Sequence, residues 1–457
     1  MTERTVVTRT RRAQRSAPSD FTFTREMVPS TQGANNSFIS EYRSRAWELF
    51  RNLPLPSSKD EPWRRTDIRG LQASSFSLAG SSNGHGPAQP AYPPAPDILL
   101  EPLAGEQHGG QVVLLPDQTR ITLSPDLAKK GVIFTDLATA EREHPQLLQK
   151  ILGQVVRPEE GKFAAMTASL GRSGVFVYVP RGVQVDEPLH SVLWAPGTNL
   201  AYFSHILVLV EEGASVTYVH EAASPTEIDG QTMHAGIVEI QLGDNAQLNF
   251  VELQSWGEHV WNFSHERAQV GRDATLDWIF GALGSHLTKN FSELDLIGEG
   301  ATGRMSGFYF TDGVQHLDHD TQQNHHAPHT TSDLLFKGAL KDHSRSVWQG
   351  MIYVAPGAQK TDGYQANRNL VLSRTARADS IPGLEILADD VRCTHGATVG
   401  KIDPDQLYYL RSRGIPYEDA ERLIVEGFFD PIMQRISFEG VRSRFQQAIL
   451  DKMSSGT

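Results

Sequence analysis

Gly213-Ala-Ser-Val-Thr-Tyr218 decides the fold, because the chain repeats its order of residue types twice more. The repeats are Asn245-Ala-Gln-Leu-Asn-Phe250 and Asp273-Ala-Thr-Leu-Asp-Trp278, and Gly300-Ala301 repeats the turn alone. The alanines of the three copies are 32 and 28 residues apart. In each copy a turn residue and an alanine precede an aliphatic and an aromatic side chain at alternating positions. Such positions share one face of a strand, so each copy predicts a turn followed by a strand with an apolar face.

Strands that recur at such an interval, separated by Gly, Asn or Asp turns, are typical of a β-solenoid. A single coil cannot bury its own inner face, so the coils must stack on one another. An antiparallel sandwich is the alternative, because its strands also alternate at regular spacing. The repeat favours the solenoid and predicts a mainly β protein with a parallel β-helix core over residues 171–400.

The regions on either side of this core have a different composition. Residues 1–35 predict a disordered tail, and 36–170 predict a helical and mixed N-terminal domain with a flexible Ser-, Gly- and Pro-rich linker near 74–96. An amphipathic helix is expected over 36–52. Residues 401–457 predict a C-terminal helical domain, with helices beginning near Pro404, at Tyr417 and at residue 438. Its surplus of apolar residues suits docking to a partner.

Composition excludes several functional classes. The 457 residues carry a net charge of −12 without a dense basic block past the N-terminus, which disfavours nucleic-acid binding. No apolar run reaches the roughly 18 residues of a membrane span. The P-loop, GxGxxG and GxSxG motifs are missing from the sequence, so it gives no support for nucleotide hydrolysis, dinucleotide binding or serine-hydrolase chemistry. One cysteine cannot form a disulfide within the chain, which favours a reducing compartment. The Arg-rich first twenty residues resemble an organellar transit peptide, but Glu3 and their shortness favour the cytoplasm over a plastid.

That one cysteine, Cys393, lies in the segment Asp389-Asp-Val-Arg-Cys-Thr-His-Gly396. In a strand, Val391, Cys393 and His395 project from the same face, which places a thiol beside an imidazole. Both are ligands for soft or borderline metal ions. A lone cysteine is also commonly a small buried apolar residue, and that alternative stays open here.

A second group of candidate metal ligands lies between residues 316 and 343, close to Asp318 and Asp320. Its spacings match no standard zinc or facial-triad pattern, but it permits the alternative of a stand-alone, His-rich β-solenoid metalloprotein. Nearby, Gln365-x-Asn367-x-Asn369 predicts a structural row of amides along one strand face. The histidines of the group are His316, His319, His325, His326, His329 and His343.

The stretch from Trp348 to Ile436 resembles the SufB/SufD family of iron–sulfur cluster assembly proteins. Gly396 after the histidine and the lack of further cysteines favour the SufD branch of that family. The resemblance extends upstream to Gln315-His-Leu-Asp318 and to Glu61-Pro-Trp63. The segments that carry it include Gln359-Lys-Thr-Asp-Gly-Tyr-Gln-Ala-Asn367, Asp389-Asp-Val-Arg-Cys-Thr-His-Gly-Ala-Thr-Val-Gly400 and Tyr408-Tyr-Leu-Arg-Ser-Arg-Gly-Ile415.

The resemblance implies a right-handed parallel β-helix with helical ends that pairs with a SufB-like paralogue along the solenoid edge. A SufC-like ATPase would dock on the C-terminal helices, so the chain itself would be a scaffold subunit and not an enzyme. A transient iron–sulfur cluster would be shared with SufB, and the isolated chain would hold no tightly bound cofactor. His395 is the favoured ligand, and Cys393 assists.

Two alternatives to shared ligation remain at this stage. The chain could pair with itself as a homodimer, because a solenoid edge can bind its own copy. It could also bind SufB without contributing any ligand. Ligand number supports sharing, since an iron–sulfur cluster generally needs about four ligands, mostly thiolates, and this chain has one cysteine.

Overall fold

The computed structural model describes residues 20–30, 37–80 and 92–454. Within those ranges the chain forms eight α-helices and twenty strands. The helices are α1 Ser37–Asn52, α2 Pro125–Lys129, α3 Leu137–Glu143, α4 Pro145–Ile151, α5 Lys162–Leu170, α6 Pro404–Ser412, α7 Tyr417–Met433 and α8 Glu439–Ser454.

The strands occupy the middle of the chain and are mostly nine to eleven residues long from β7 onward. They are β1 Ser77–Leu78, β2 Gly110–Leu114, β3 Thr119–Leu123, β4 Ile133–Asp136, β5 Ser173–Val179, β6 Leu189–Trp194, β7 Leu200–Val210, β8 Ser215–Ala223, β9 Thr232–Leu242, β10 Gln247–Ser255, β11 Val260–Val270, β12 Thr275–Ala282, β13 Leu287–Leu296, β14 Thr302–Thr311, β15 His316–His325, β16 Thr331–Leu340, β17 Arg345–Val354, β18 Asp362–Val371, β19 Arg377–Ile386 and β20 Arg392–Lys401.

Alternate strands pair with each other, which is the topology of a coil. Sheet A follows the order β19-β17-β15-β13-β11-β9-β7-β5-β4, with β1 added on β7. Sheet B follows the order β20-β18-β16-β14-β12-β10-β8-β6-β2-β3. The pairs from β5 and β6 onward are parallel, and β3 and β4 close the N-terminal end with antiparallel pairs. The two sheets enclose a lumen of about eight coils, so the prediction of a parallel β-solenoid with helical ends is confirmed and the sandwich is wrong.

The repeated aromatic residues stack along the lumen. Tyr218, Phe250 and Trp278 are direct neighbours in the sheet B register, and all three are buried. Their ring centroids are 5.5 Å apart for the first pair and 5.7 Å for the second. Each coil therefore buries its inner face against the next coil, as the repeat requires.

The turns repeat further along the chain than the sequence motif does. Asn245 and Asp273 have φ values of 57° and 54°, a left-handed conformation that Asn and Asp tolerate well. His329 and Lys360 occupy the same position in later coils, with φ values of 59° and 62°. The Asn245 backbone N–H donates to the carbonyl of Arg272 in the next coil at 2.8 Å. His329 is thus a turn residue of the solenoid.

The N-terminal flank covers the outer face of sheet A. Phe21 and Phe23, from within the predicted tail, are buried with ring centroids 5.6 Å apart, so the disordered tail does not extend to residues 20–30. Residues 1–19 and 31–36 lie outside the described ranges, as does the 81–91 part of the predicted linker. The rest of that linker is packed, since Phe76 is buried and Leu78 pairs with β7.

The C-terminal helices α7 and α8 pack on the outer face of sheet B. Phe429 of α7 and Phe445 of α8 contact each other at 4.8 Å between ring centroids, and Phe445 lies 4.2 Å from Phe308 of the sheet. Helix α7 begins at Tyr417, as the sequence predicted, and continues past Pro431 to Met433. By contrast, α6 buries none of its residues. Among the described helices, none has both the length and the apolar character to cross a membrane.

We expect Trp278→Ala to lower the free energy of unfolding by about 3–5 kcal/mol, because the stack loses a large buried side chain and a cavity remains. The measurement is urea unfolding followed by circular dichroism of the strands. Tyr408→Ala is the control, because that aromatic side chain is exposed on α6. An equal loss in both variants would contradict a solenoid held together by its lumen stack.

Candidate functional site

The last coil of the described chain has an open end. Strand β20 pairs only with β18, and β19 pairs only with β17. Their other edges present backbone N–H and C=O groups to solvent. No further coil in the described part of the chain covers the lumen at this end.

Cys393 and His395 lie on the inner face of this last coil. In the sheet B register, His395 continues the column of Trp278, Leu334 and Gln365, which point into the lumen and are buried. Cys393 continues the neighbouring column through Gly363. The sequence predicted that the two side chains share an exposed strand face. They do share a face, but it is the core face, and they are accessible because the solenoid ends there.

Cys393 is half-buried beside Ile352 and Gly363. A Cβ atom on Gly363 would lie 3.2 Å from the Cys393 Sγ, so the missing side chain makes room for the sulfur. Burial raises the pKa of the Cys393 thiol above its ordinary value of 9.0, which keeps it protonated at neutral pH. A metal ion that binds this sulfur must therefore displace a proton.

His395 is exposed, and no described residue forms a hydrogen bond with either of its ring nitrogens. The rim of the open end around it includes exposed apolar side chains beside charged ones such as Arg392. Leu387 is 50% exposed and Val399 is 49% exposed, and Leu384 and Ile386 of the same coil are also exposed. A thiol, an imidazole and a partly apolar rim at a free sheet edge form an arrangement that another surface can complete.

The histidines between residues 316 and 343 do not come together. His316 contacts Thr66 on the outside of sheet A, with 3.1 Å between its Nε2 and the hydroxyl oxygen. His319 points into the lumen among aromatic rings, and His325 hydrogen-bonds Thr330 at 2.7 Å. Within residues 20–30, 37–80 and 92–454, no three His, Cys, Asp or Glu side chains could hold a metal ion. The structure gives no support for the stand-alone metalloprotein.

The lumen has a polar section that the sequence did not reveal. Glu266 of β11 is buried there and Glu252 of β10 is partly buried with an inaccessible Oε2; Asn290 donates to Glu266 at 2.6 Å and Ser292 donates at 3.0 Å. Burial, and then the negative charge of Glu266, raise the pKa of Glu252 well above its ordinary value of 4.5. The alternation of the strand residues in the sequence could have predicted this section, because it places both carboxyl groups at inward positions.

These carboxyl groups should make stability depend on pH. A raised pKa in the folded protein contributes stability that is fully present below the unfolded pKa and is lost as pH rises through the folded pKa. We therefore expect Glu252→Gln to raise the urea midpoint more at about pH 8 than at about pH 4. The exposed Glu258→Gln is the control. A midpoint difference that does not change with pH would show that the pKa of Glu252 is the same in the folded and unfolded chain, and so is not raised by folding.

The fold and the site define a β-solenoid protein with a thiol and an imidazole at an open edge. Comparison with protein families is consistent with this class. Residues 193–428 match the family model described as "SUF system FeS cluster assembly, SufBD core domain", and residues 112–190 match "SufBD protein N-terminal region".

Individual relatives agree with the family models. The chain is 36% identical to the iron–sulfur cluster assembly protein SufD of Bacillus subtilis over 422 residues, which cover 91% of this chain and 96% of that protein. It is 32% identical over 320 residues to an iron–sulfur cluster assembly SufBD family protein of Staphylococcus epidermidis, covering 69% of this chain and 68% of that protein. The chain belongs to the SufB/SufD family of iron–sulfur cluster assembly proteins.

Proposed function

We propose that this chain is a SufD-like scaffold subunit that pairs with a SufB-like paralogue and contributes His395, assisted by Cys393, to a nascent iron–sulfur cluster. The observation that carries the proposal is the position of these two side chains side by side in the last coil, at an open edge. The cluster is the cargo of the complex, so the chain needs no resident cofactor for this role.

The donor set fits a shared site. An iron–sulfur cluster is held by about four ligands, mostly thiolates, and this chain offers one thiol and one imidazole. A partner must therefore supply the remaining ligands, which explains why the site lies at an edge and not inside the solenoid. Imidazole in place of a thiolate, with ligands from two chains, also favours release of the finished cluster.

The uncovered edges of β19 and β20 support the proposal that a partner binds at this end of the solenoid. An uncovered strand edge is a template for another strand, and natural proteins normally protect it with charges, bulges or a covering element. The edge strands carry exposed charges at Arg377 and Arg392, and the rim also carries exposed apolar side chains, among them Leu387 and Val399. A second solenoid that adds its own last strands would continue both sheets and bring its ligands to His395. A second copy of this chain could pair in the same way when the paralogue is absent.

The decisive experiment on the ligand is His395→Ala in a complex co-expressed anaerobically with SufB-like and SufC-like partners. We expect the complex to assemble with a cluster yield at least about tenfold lower, since a ligand is lost. Cys393→Ser should reduce the yield less. Visible absorption and size-exclusion elution measure the two properties.

Thr394→Ala is the matched control, because this exposed neighbour points to the other side of the strand. Normal cluster yield in both the His395 and the Cys393 variants would overturn the ligand assignment. It would leave the alternative that the chain binds the partner without contributing a ligand.

We also propose that α6 and the start of α7 dock a SufC-like ATPase. Helices α7 and α8 are fixed to sheet B, whereas α6 has no buried residue and carries Tyr408 at 75% exposure. Tyr409, Tyr417 and Leu423 add further exposed apolar surface to the same helical pair. An ATPase partner would supply the nucleotide-binding motif that this sequence lacks.

Tyr408→Asp should release the SufC-like ATPase while the SufB-like subunit stays bound, because a charge replaces an aromatic contact in a desolvated interface. Co-purification with each partner measures this outcome. Ile228→Asp is the control, since that side chain is apolar and 97% exposed but lies in the loop between β8 and β9. Loss of the ATPase in both variants, or in neither, would contradict docking on α6.

A further inference from the structure

The residue directly beneath His395 breaks the pattern of its column. In the preceding coils this lumen position holds Tyr218, Phe250, Trp278, Met305 and Leu334. In the next coil it holds Gln365, which is fully buried and pairs in register with His395. The column thus changes from large, mainly apolar side chains to an amide at Gln365. This residue lies on the strand next to that of His395, one strand spacing of about 4.8 Å away.

Hydrogen bonds fix the orientation of the Gln365 amide. Its Nε2 donates to the carbonyl of Gly383 at 2.8 Å and faces the carbonyl of Gly350 at 3.4 Å. Because both acceptors are carbonyl oxygens, the nitrogen must be the atom that faces them. Gly383 belongs to β19, so the amide of β18 bridges the lumen to the opposite edge strand and forms a floor under the last coil.

The other amide atom has no partner. The Gln365 Oε1 is buried, and no donor in the described part of the chain reaches it. A Cβ atom on Gly350 would lie only 2.5 Å from this oxygen, so the glycine makes room for the amide in its present place. An acceptor left without a donor in a buried position is energetically costly. Among the described strands, the coil beyond Gln365 in this column carries His395.

We propose that Gln365 is a positioning residue for His395, an inference that rests on the function proposed above. When the neutral imidazole turns towards the lumen, its single N–H group donates to Gln365 Oε1. This hydrogen bond selects one tautomer and leaves the other ring nitrogen as a lone-pair donor for iron. Metal-binding histidines generally have such a partner, and its loss typically lowers metal affinity about 10–100-fold.

An amide suits this position better than the alternatives. A carboxylate would accept the same hydrogen bond, but it would add a buried negative charge and could not donate to Gly383. An aliphatic side chain, as at Leu334, would leave the ring free to rotate. Gln365 also connects β18 with β19, so the ring is oriented relative to both edge strands at which the partner is proposed to bind.

The test measures the tautomer of His395 in the full chain labelled with ¹⁵N-histidine, under conditions in which the spectrum itself shows the ring to be neutral. Long-range ¹H–¹⁵N spectra report the tautomer, and His395→Ala assigns the signal. We expect one tautomer in the parent chain and a mixture in Gln365→Met, which keeps the length of the side chain and removes the acceptor. Leu334→Met, one coil further from His395, should leave the tautomer unchanged.

Gln365→Glu retains an acceptor oxygen and should restore the single tautomer, which keeps the test decisive if the Met variant folds poorly. An unchanged tautomer in Gln365→Met, or a mixture already in the parent chain, would overturn the inference. In the co-expressed complex we expect Gln365→Met to lower the cluster yield by about tenfold. If His395→Ala leaves that yield normal, the proposed function fails, whereas the tautomer result still decides whether Gln365 orients the ring.

Discussion

A coil of the solenoid can bury its inner face only against the next coil, and this constraint governs the whole structure. Tyr218, Phe250 and Trp278 satisfy it by stacking along the lumen. At the last coil it cannot be satisfied within the described chain, so core positions become surface there. Cys393 and His395 occupy two of these positions. Their accessibility follows from the end of the repeat, and the same end leaves two strand edges for a partner.

The lumen is not uniformly apolar, and one polar section of it is hydrogen-bonded between successive coils of sheet A. Ser204 contacts His234 at 2.8 Å, and His234 contacts Asn262 at 2.7 Å. Buried polar groups are tolerated when their partners are present, and they are costly when they are not. Several buried lumen atoms of the described chain lack a partner, among them Trp278 Nε1, both ring nitrogens of His319 and Gln365 Oε1.

Buried ion pairs attach the flanking segments to the outside of the solenoid. Lys289 and Asp318 are both fully buried at 3.0 Å, and Thr66 of the N-terminal region donates to the same carboxylate. On sheet B, Arg444 of α8 pairs with Glu221 at 3.0 Å. Such pairs add little net stability, but removing one partner leaves a buried charge and costs about 3–5 kcal/mol. Each pair therefore fixes its segment at one place on the sheet.

The sequence by itself determined the solenoid, because the turn-and-strand repeat encodes the stacking of side chains in one lumen column. Strand alternation also determined that Cys393 and His395 share a face. Only the tertiary structure decided that this is the inner face, since that depends on which coil is last. It also separated the histidines near His316 into turn, lumen and outer positions, and it placed Gln365 under His395. Neighbours in a solenoid are about thirty residues apart in sequence, so contacts across coils follow from register, which no local pattern reveals.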